Sequence, residues 1–334
     1  MIISIKNNLR RASLTLFILV FSFISVSPAF AASSANTGSA GAANGFSISP
    51  VISNLTIQPG NSYTLDIYLQ NPTHETLVAQ PIINDFEASG NESGTPKLLI
   101  NNKNLPANNF ESLVGSVQTV TLAAGQQKLV SVNISVPKNA SPGGYYGVVR
   151  FVPTQVGTES NIGLTASVGT LVLVTVPGNL VQKLDLIQLA TLSGNSLSSF
   201  FTGGVPNVLV RLHNSGNIQV SPTGTLVLKN MFGHVMSKVT FNTTGGQILP
   251  SSIRKWVSSL PNQKYIGPYT VEANINYGTS GAVLTAKTTF WYLPTWLIIV
   301  IVIAIIVLIG LVYWILLTVH SKSANRKHRK YARK

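Results

Sequence analysis

From Thr295 to Val319 the chain runs for 25 residues without a charged side chain. No other feature narrows its possible folds as much. At about 1.5 Å per residue, a helix of this length crosses the roughly 30 Å hydrocarbon layer of a bilayer with allowance for tilt. Lipid offers no partner to backbone N–H and C=O groups, so such a run is expected to be helical. Its flanks differ. Trp291, Tyr292 and Trp296 stand in front as membrane-interface residues, whereas Lys322, Arg326, Lys327, Arg329, Lys330, Arg333 and Lys334 crowd behind. Basic ends stay in the cytoplasm, so the sequence predicts a transmembrane helix at 295–319, a cytoplasmic tail at 320–334 and an extracytoplasmic body before Pro294. The tail is expected to be too short to fold, and to meet anionic inner-leaflet lipids at about 1 kcal/mol per basic residue near the surface.

This topology accounts for most of the basicity. The formal charge of +14 divides into +3 near the N-terminus, +7 in the tail and +4 over the body between. A nucleic-acid partner is therefore not expected from charge. The chain has no cysteine, which removes disulfides, thiol catalysis and thiolate metal sites together.

Residues 1–31 combine a basic start, an apolar run from Ala12 to Val26 and the small-residue site Ala29-Phe30-Ala31. They read as a secretory signal peptide cleaved before Ala32, with an uncleaved anchor as the alternative. Residues 32–44, rich in Ser, Ala, Gly and Asn, read as a flexible linker.

From Gly45 to Tyr292 short β-branched and aromatic runs alternate with Pro, Gly and Asn, and no helical period is visible. Tyr63, Leu65, Ile67 and Leu69 fall on one face of a strand, with Thr64, Asp66 and Tyr68 on the other; Val130, Val132, Ile134 and Val136 likewise point together. Such a pattern predicts an all-β body of antiparallel sandwiches, and its length exceeds one unit of about 100 residues. The expected architecture is two tandem Ig-like β-sandwiches, 45–178 with an Asn-rich insertion at 89–116 and 179–292, followed by the helix. A weak repeat supports two units: Leu69-Gln70-Asn71-Pro72 parallels Leu212-His213-Asn214-Ser215-Gly216, and Gln127–Ser131 parallels Arg254–Ser258.

At Ser141-Pro142-Gly143-Gly144-Tyr145-Tyr146-Gly147-Val148-Val149-Arg150-Phe151 and Leu249-Pro250-Ser251-Ser252-Ile253-Arg254-Lys255, the chain resembles the WxL-interacting proteins of Gram-positive bacteria. Their plan is a signal peptide, two Ig-like domains, one span and a basic tail. The resemblance implies peptidoglycan binding by the first domain and binding of WxL-type surface proteins by the second, and it transfers no binding residue. Trp291-Tyr292-Leu293 and Trp314-Ile315-Leu316 match W-x-L by letter, but aromatic and leucine residues are expected at a membrane in any case.

Catalytic chemistry finds little to work with. His74, His213 and His234 have no metal-ligand spacing, and no nucleophile elbow or phosphate loop occurs. Asp85 and Glu87 would share a strand face and could hold a cation or move a proton, although a solvated face is the plainer explanation. No catalytic residue, metal or cofactor is assigned. Binding asks for less. Tyr145, Tyr146 and Arg150 offer sugar-stacking rings and a carboxylate fork, unless alternation turns one of each neighbouring pair inward. Asn101, Asn102 and Asn104 offer amides to hydroxyl-rich glycans, or simply make turns. The sequence thus predicts a non-enzymatic, membrane-anchored surface scaffold that contacts cell-wall glycan and another surface protein. An accessory subunit of a membrane secretion or transport assembly is the alternative, and a wall-modifying enzyme using Asp85 and Glu87 a more distant one.

Overall fold

The computed structural model describes residues 45–100, 106–155, 167–261 and 265–331, with side chains described only as far as Leu316 in the C-terminal helix. The signal segment, the linker and the candidates Asn101, Asn102 and Asn104 lie outside the described residues. The body is two Ig-like antiparallel β-sandwiches in tandem, followed by one long helix.

In the first sandwich β1 (Ser47–Ser49), β3 (Ser62–Gln70) and β7 (Gln127–Ser135) form a sheet in the order β1-β3-β7. The facing sheet runs β2 (Ile52–Thr56), β9 (Val168–Val176), β8 (Gly143–Gln155), β4 (Leu77–Ala88), β5 (Pro96–Leu98), and β6 (Val120–Leu122) also pairs with β4. Period-2 alternation builds the core. Leu65, Ile67 and Leu69 of β3 point inward beside Val132 and Val130 of β7, whose register sets Leu65 opposite Val132 and Ile67 opposite Val130. The 89–116 segment also feeds this core: a 3-10 turn at Glu111–Leu113 buries Phe110 and Leu113.

The second sandwich repeats the arrangement. β11 (Ser196–Leu197), β10 (Leu184–Ser193), β13 (Asn207–Asn214) and β16 (Ile253–Ser259) form one sheet in that order. The other runs β12 (Phe200–Phe201), β18 (Ala282–Tyr292), β17 (Gly267–Tyr277), β14 (Thr223–Asn230), β15 (Val235–Phe241). A separate core of Val208, Val210, Leu212, Leu226, Leu228, Val271, Ile275 and Phe290 lies between them.

The sequence repeat has a hydrogen-bonding meaning. Asn71 directly follows β3 and Asn214 ends β13, both at 0% exposure. The Asn71 amide donates to Glu75 O, Leu122 O and Ala123 O while its carbonyl accepts from Thr73 N. Asn214 donates to Ile218 O and Ile248 O and accepts from Gly216 N, the same i+4 and i+2 pattern. Each asparagine thereby stitches a strand end to a loop from the far side of its own sandwich.

The helix, α1 (Thr295–Tyr331), follows β18 with almost no slack. Trp291 N donates to Ser199 O at 2.7 Å, Leu293 N to Phe201 O at 2.8 Å and Thr295 N to Thr202 O at 3.1 Å. From Thr295 to Leu316 it is long and apolar enough to cross a membrane, and none of this stretch is buried among the described residues. Contrary to the expectation of an unfolded tail, the helical backbone continues through Tyr331. Extending a helix needs no new nucleus, and cations are favoured near its C-terminal end.

A candidate binding cleft between the two sandwiches

β4 is long enough to outrun its pairing with β8, which ends at Asp85, and its last residues pair instead with β5. The turn after it, Ser89–Thr95, is knitted by Asn91 Oδ1, which accepts from Ser93 N at 2.9 Å. This turn reaches the second sandwich. The Glu92 carboxylate accepts from both Nε and Nη2 of Arg211 on β13, the former at 2.8 Å, and Glu92 O accepts from Lys255 N at 2.9 Å. The Arg211 guanidinium holds the Glu92 carboxyl below the usual carboxylate range.

Across the seam Gly144 N donates to Asn217 O at 3.1 Å and Tyr146 OH to Gln219 Oε1 at 2.9 Å. Gln219 Nε2 donates to Thr175 Oγ1 at 3.1 Å, and Gln247 Nε2 to Asn54 Oδ1 at 2.9 Å. Asn217 also receives Val181 N and donates to Asn179 O, fixing the connection between the sandwiches. Hydrogen bonds on several sides leave space in between. One cavity of about 440 Å³ is lined by Ile52, Phe86, Leu171, Leu173, Ile248 and Arg254 among others. A second, of about 540 Å³, shares Phe86 and Leu249 with it and adds Leu99, Pro106 and Tyr146.

Arg254 is the polar centre of the first cavity. Its Nη1 donates to Gln247 O at 2.7 Å, and its guanidinium lies 5.1 Å from the ring centroid of Trp256, which shares its face two residues on along β16. The Nε N–H is buried with no acceptor among the described residues, and burial pulls the pKa of the group below the ordinary arginine value. A buried unpartnered donor is costly. Gly94 and Gly246 make room for the guanidinium: a Cβ at Gly94 would lie 2.2 Å from Arg254 Cζ, and one at Gly246 2.7 Å from Nη2. Among the described residues, two strands beside this cavity, β2 and β16, are sheet edges with a partner strand on one side only.

Among the described residues, those singled out in the sequence do not meet at one site. Tyr145 is 5% exposed, and its hydroxyl donates to Ser141 O at 3.1 Å, the four-residue reach-back of a tyrosine corner. Tyr265 makes the same bond to Pro261 O in the second sandwich. Tyr146 turns to the seam and tilts against Phe86 at 6.1 Å between ring centroids; burial raises its phenol well above the ordinary tyrosine value. Arg150 Nε donates to Asn84 Oδ1 at 2.9 Å and Nη1 reaches Ser167 Oγ at 3.5 Å. Trp291 and Trp296 are exposed at the helix junction, while Tyr292 donates to Gly204 O and stacks on Phe201. The side chains of Lys322, Arg326, Lys327, Arg329 and Lys330 lie outside those described.

Asp85 is 1% exposed and accepts from Phe110 N, whereas Glu87 pairs in the open with Lys97 at 2.7 Å. Desolvation, only partly offset by backbone N–H donors, raises the Asp85 pKa. No group of three His, Asp or Glu side chains that could hold a metal ion occurs among the described residues. Arg254, Glu92, Arg211 and Gln219 carry the cleft and were not picked out from the sequence. The Arg-Lys-Trp spacing at 254–256 contained the one readable signal, a cation and an aromatic ring on one strand face.

No protein-family model and no curated protein matches the chain. Among solved structures it is similar to a chaperone–tip adhesin complex of CFA/I fimbriae biogenesis, at 15% identity and a TM-score of 0.37 over 73% of this chain and 98% of that one. The Escherichia coli chaperone DraB follows at 13% identity and 0.34 over 74% and 96%, and the CsuC–CsuE chaperone–tip pre-assembly complex of Acinetobacter baumannii at 11% and 0.33 over 74% and 99%. At such scores these likenesses say nothing about what the cleft binds, and the sandwich fold rests on the strands and cores of the chain itself.

Proposed function

We propose that this chain is a membrane-anchored surface binding protein, a scaffold that works without catalysis. In this reading α1 is a membrane span, the two sandwiches lie outside, and the basic tail lies against anionic lipids of the cytoplasmic leaflet. The observation that carries the binding role is Arg254, which lines a mixed polar and apolar cavity between the sandwiches and whose buried Nε has no acceptor among the described residues. Such a site suits a carbonyl or carboxylate oxygen on an otherwise apolar or extended segment. The edge strands β2 and β16 could hydrogen-bond such a segment along its backbone. A surface protein is the partner this chemistry fits, with cell-wall glycan engaged by the first sandwich, as the resemblance to WxL-interacting proteins implies.

The test uses the full chain in lipid nanodiscs, incubated with purified peptidoglycan and separately with the secreted proteins of the same cell. Retention of at least one is expected, and Arg254→Gln should weaken capture of the surface protein about tenfold or more, the value of one charge-assisted hydrogen bond. Retention of neither, or capture unaffected by Arg254→Gln, overturns the proposal. A second reading, an accessory subunit of a membrane assembly, draws on the exposed apolar surface of α1. Exchanging residues 295–316 for an unrelated apolar span separates the two, because a scaffold keeps its function and a subunit loses it.

A further inference from the structure

Resting on the reading of α1 as a membrane span, we infer that the β14–β15 hairpin tip inserts Met231 and Phe232 into the interface of the bilayer that α1 crosses, giving the second sandwich a second membrane contact. Hairpin turns are ordinarily polar, built from Gly, Asn, Asp, Ser and Pro. This one reads Met231-Phe232-Gly233-His234, with Met231 56% and Phe232 75% exposed.

The strand register decides where it points. β14 and β18 are both antiparallel to β17, so both run toward α1. Asn230 pairs with Tyr269, and Tyr269 pairs with Phe290, which puts the last residue of β14 level with the residue just before Trp291. Two strand spacings, about 10 Å, separate the hairpin from β18. The turn therefore leaves the sheet at the level of Trp291 and Tyr292, three to four residues before the helix begins. Met231 lies over the neighbouring strand β17, since a Cβ on Gly267, the partner of Tyr292, would lie 2.8 Å from its Cε.

The same end of the sheet exposes further apolar groups. Phe200, set beside Trp291 in the parallel β12–β18 pair, is 53% exposed, as is Trp291, and Ile266 and Val235 are open as well. No Asp or Glu occurs in 197–204, 229–236, 265–271 or 288–297, so no carboxylate would need to leave water if this end met lipid. The opposite end differs: β17 and β18 turn there through Gly278-Thr279-Ser280-Gly281, and β15 is followed by Asn242-Thr243-Thr244. An apolar turn at one end of a sheet and polar turns at the other is the division expected where one end rests in a lipid interface.

The absence of native cysteine permits a direct test. Single variants Phe232→Cys, Ser280→Cys and Val302→Cys are labelled with an environment-sensitive fluorophore. Each full-length chain is then placed in vesicles of phosphatidylethanolamine and phosphatidylglycerol carrying shallow or deep spin-labelled lipids. The label at 302 should be quenched by the deep probe. The label at 232 should be blue-shifted and quenched by the shallow probe several-fold more strongly than the label at 280. A label at 232 that behaves like the one at 280, while 302 is quenched, overturns the inference and leaves the span reading intact. If 302 also escapes quenching, the span reading falls and the inference falls with it.

Discussion

Asn71 and Asn214 show how single side chains hold each sandwich shut. Both are fully buried, and both replace missing strand hydrogen bonds where the chain leaves the sheet. Truncation would strand a buried carbonyl, Leu122 O in one case and Ile248 O in the other, each costing about 1–3 kcal/mol. Asn71→Ala and Asn214→Ala are each expected to cost about 3 kcal/mol, read as a fall in thermal midpoint; a change within experimental scatter would remove the asparagines from this role. Asp85 behaves oppositely. Its raised pKa means that the folded chain holds the proton more tightly than the unfolded one. That contribution is complete below the unfolded carboxylate value near 4 and is lost as pH rises through the folded value. Relative to Asp85→Asn, the native chain should therefore lose stability as pH climbs from 4 toward 7. Thermal midpoints measured across that range check it, and parallel curves for the two chains would contradict it. The same variant tests catalysis, since a scaffold keeps its binding without this carboxylate.

Among the elements, the β4–β5 hairpin gives the seam its side-chain ion pair, Glu92 with Arg211. Both partners are partly exposed, so the pair is worth about 1 kcal/mol, enough to loosen the seam without unfolding either sandwich. Glu92→Gln is expected to speed hydrogen exchange at Lys255 N–H, which donates to Glu92 O, while core amides such as Val132 and Val210 stay protected. Unchanged protection at Lys255 would count against the pair as a clasp. The Glu92 pKa is lowered, so its contribution is present above the unfolded value near 4.5 and disappears as pH falls through the folded one. The native chain should then match the variant only in acid. Gly94 tests the neighbouring cavity. At φ +78° and with Arg254 in the space a Cβ would occupy, Gly94→Ala must strain the turn and displace the guanidinium. Partner capture should fall as it does for Arg254→Gln, with both cores intact by circular dichroism.

For the molecule as a whole, the junction with α1 sets how the body meets its surroundings. Three backbone hydrogen bonds from Trp291, Leu293 and Thr295 to residues 199–202 leave no hinge between β18 and the helix. A flexible Gly-Ser insert between Leu293 and Pro294 should release the second sandwich from the bilayer and abolish shallow-probe quenching at position 232, with little change in thermal stability. Persistent quenching would mean that the hairpin finds the membrane without help from the junction. The sequence by itself determined much at this scale. Period-2 alternation announced the sandwiches, the charge-free run announced a helix able to cross a membrane, and the Asn71 and Asn214 motifs announced a repeat whose bonds proved equivalent. Each is a local pattern, because burial on one face leaves its mark within a few consecutive residues. Only the tertiary structure decided that Glu92 meets Arg211 across 119 positions, that Arg254 faces a cavity under a glycine turn, that Tyr145 serves the core, and that Met231 and Phe232 stand level with the helix entrance. Those placements follow from strand order and register between distant segments, which hydrogen bonding through the backbone sets and which no side-chain period records.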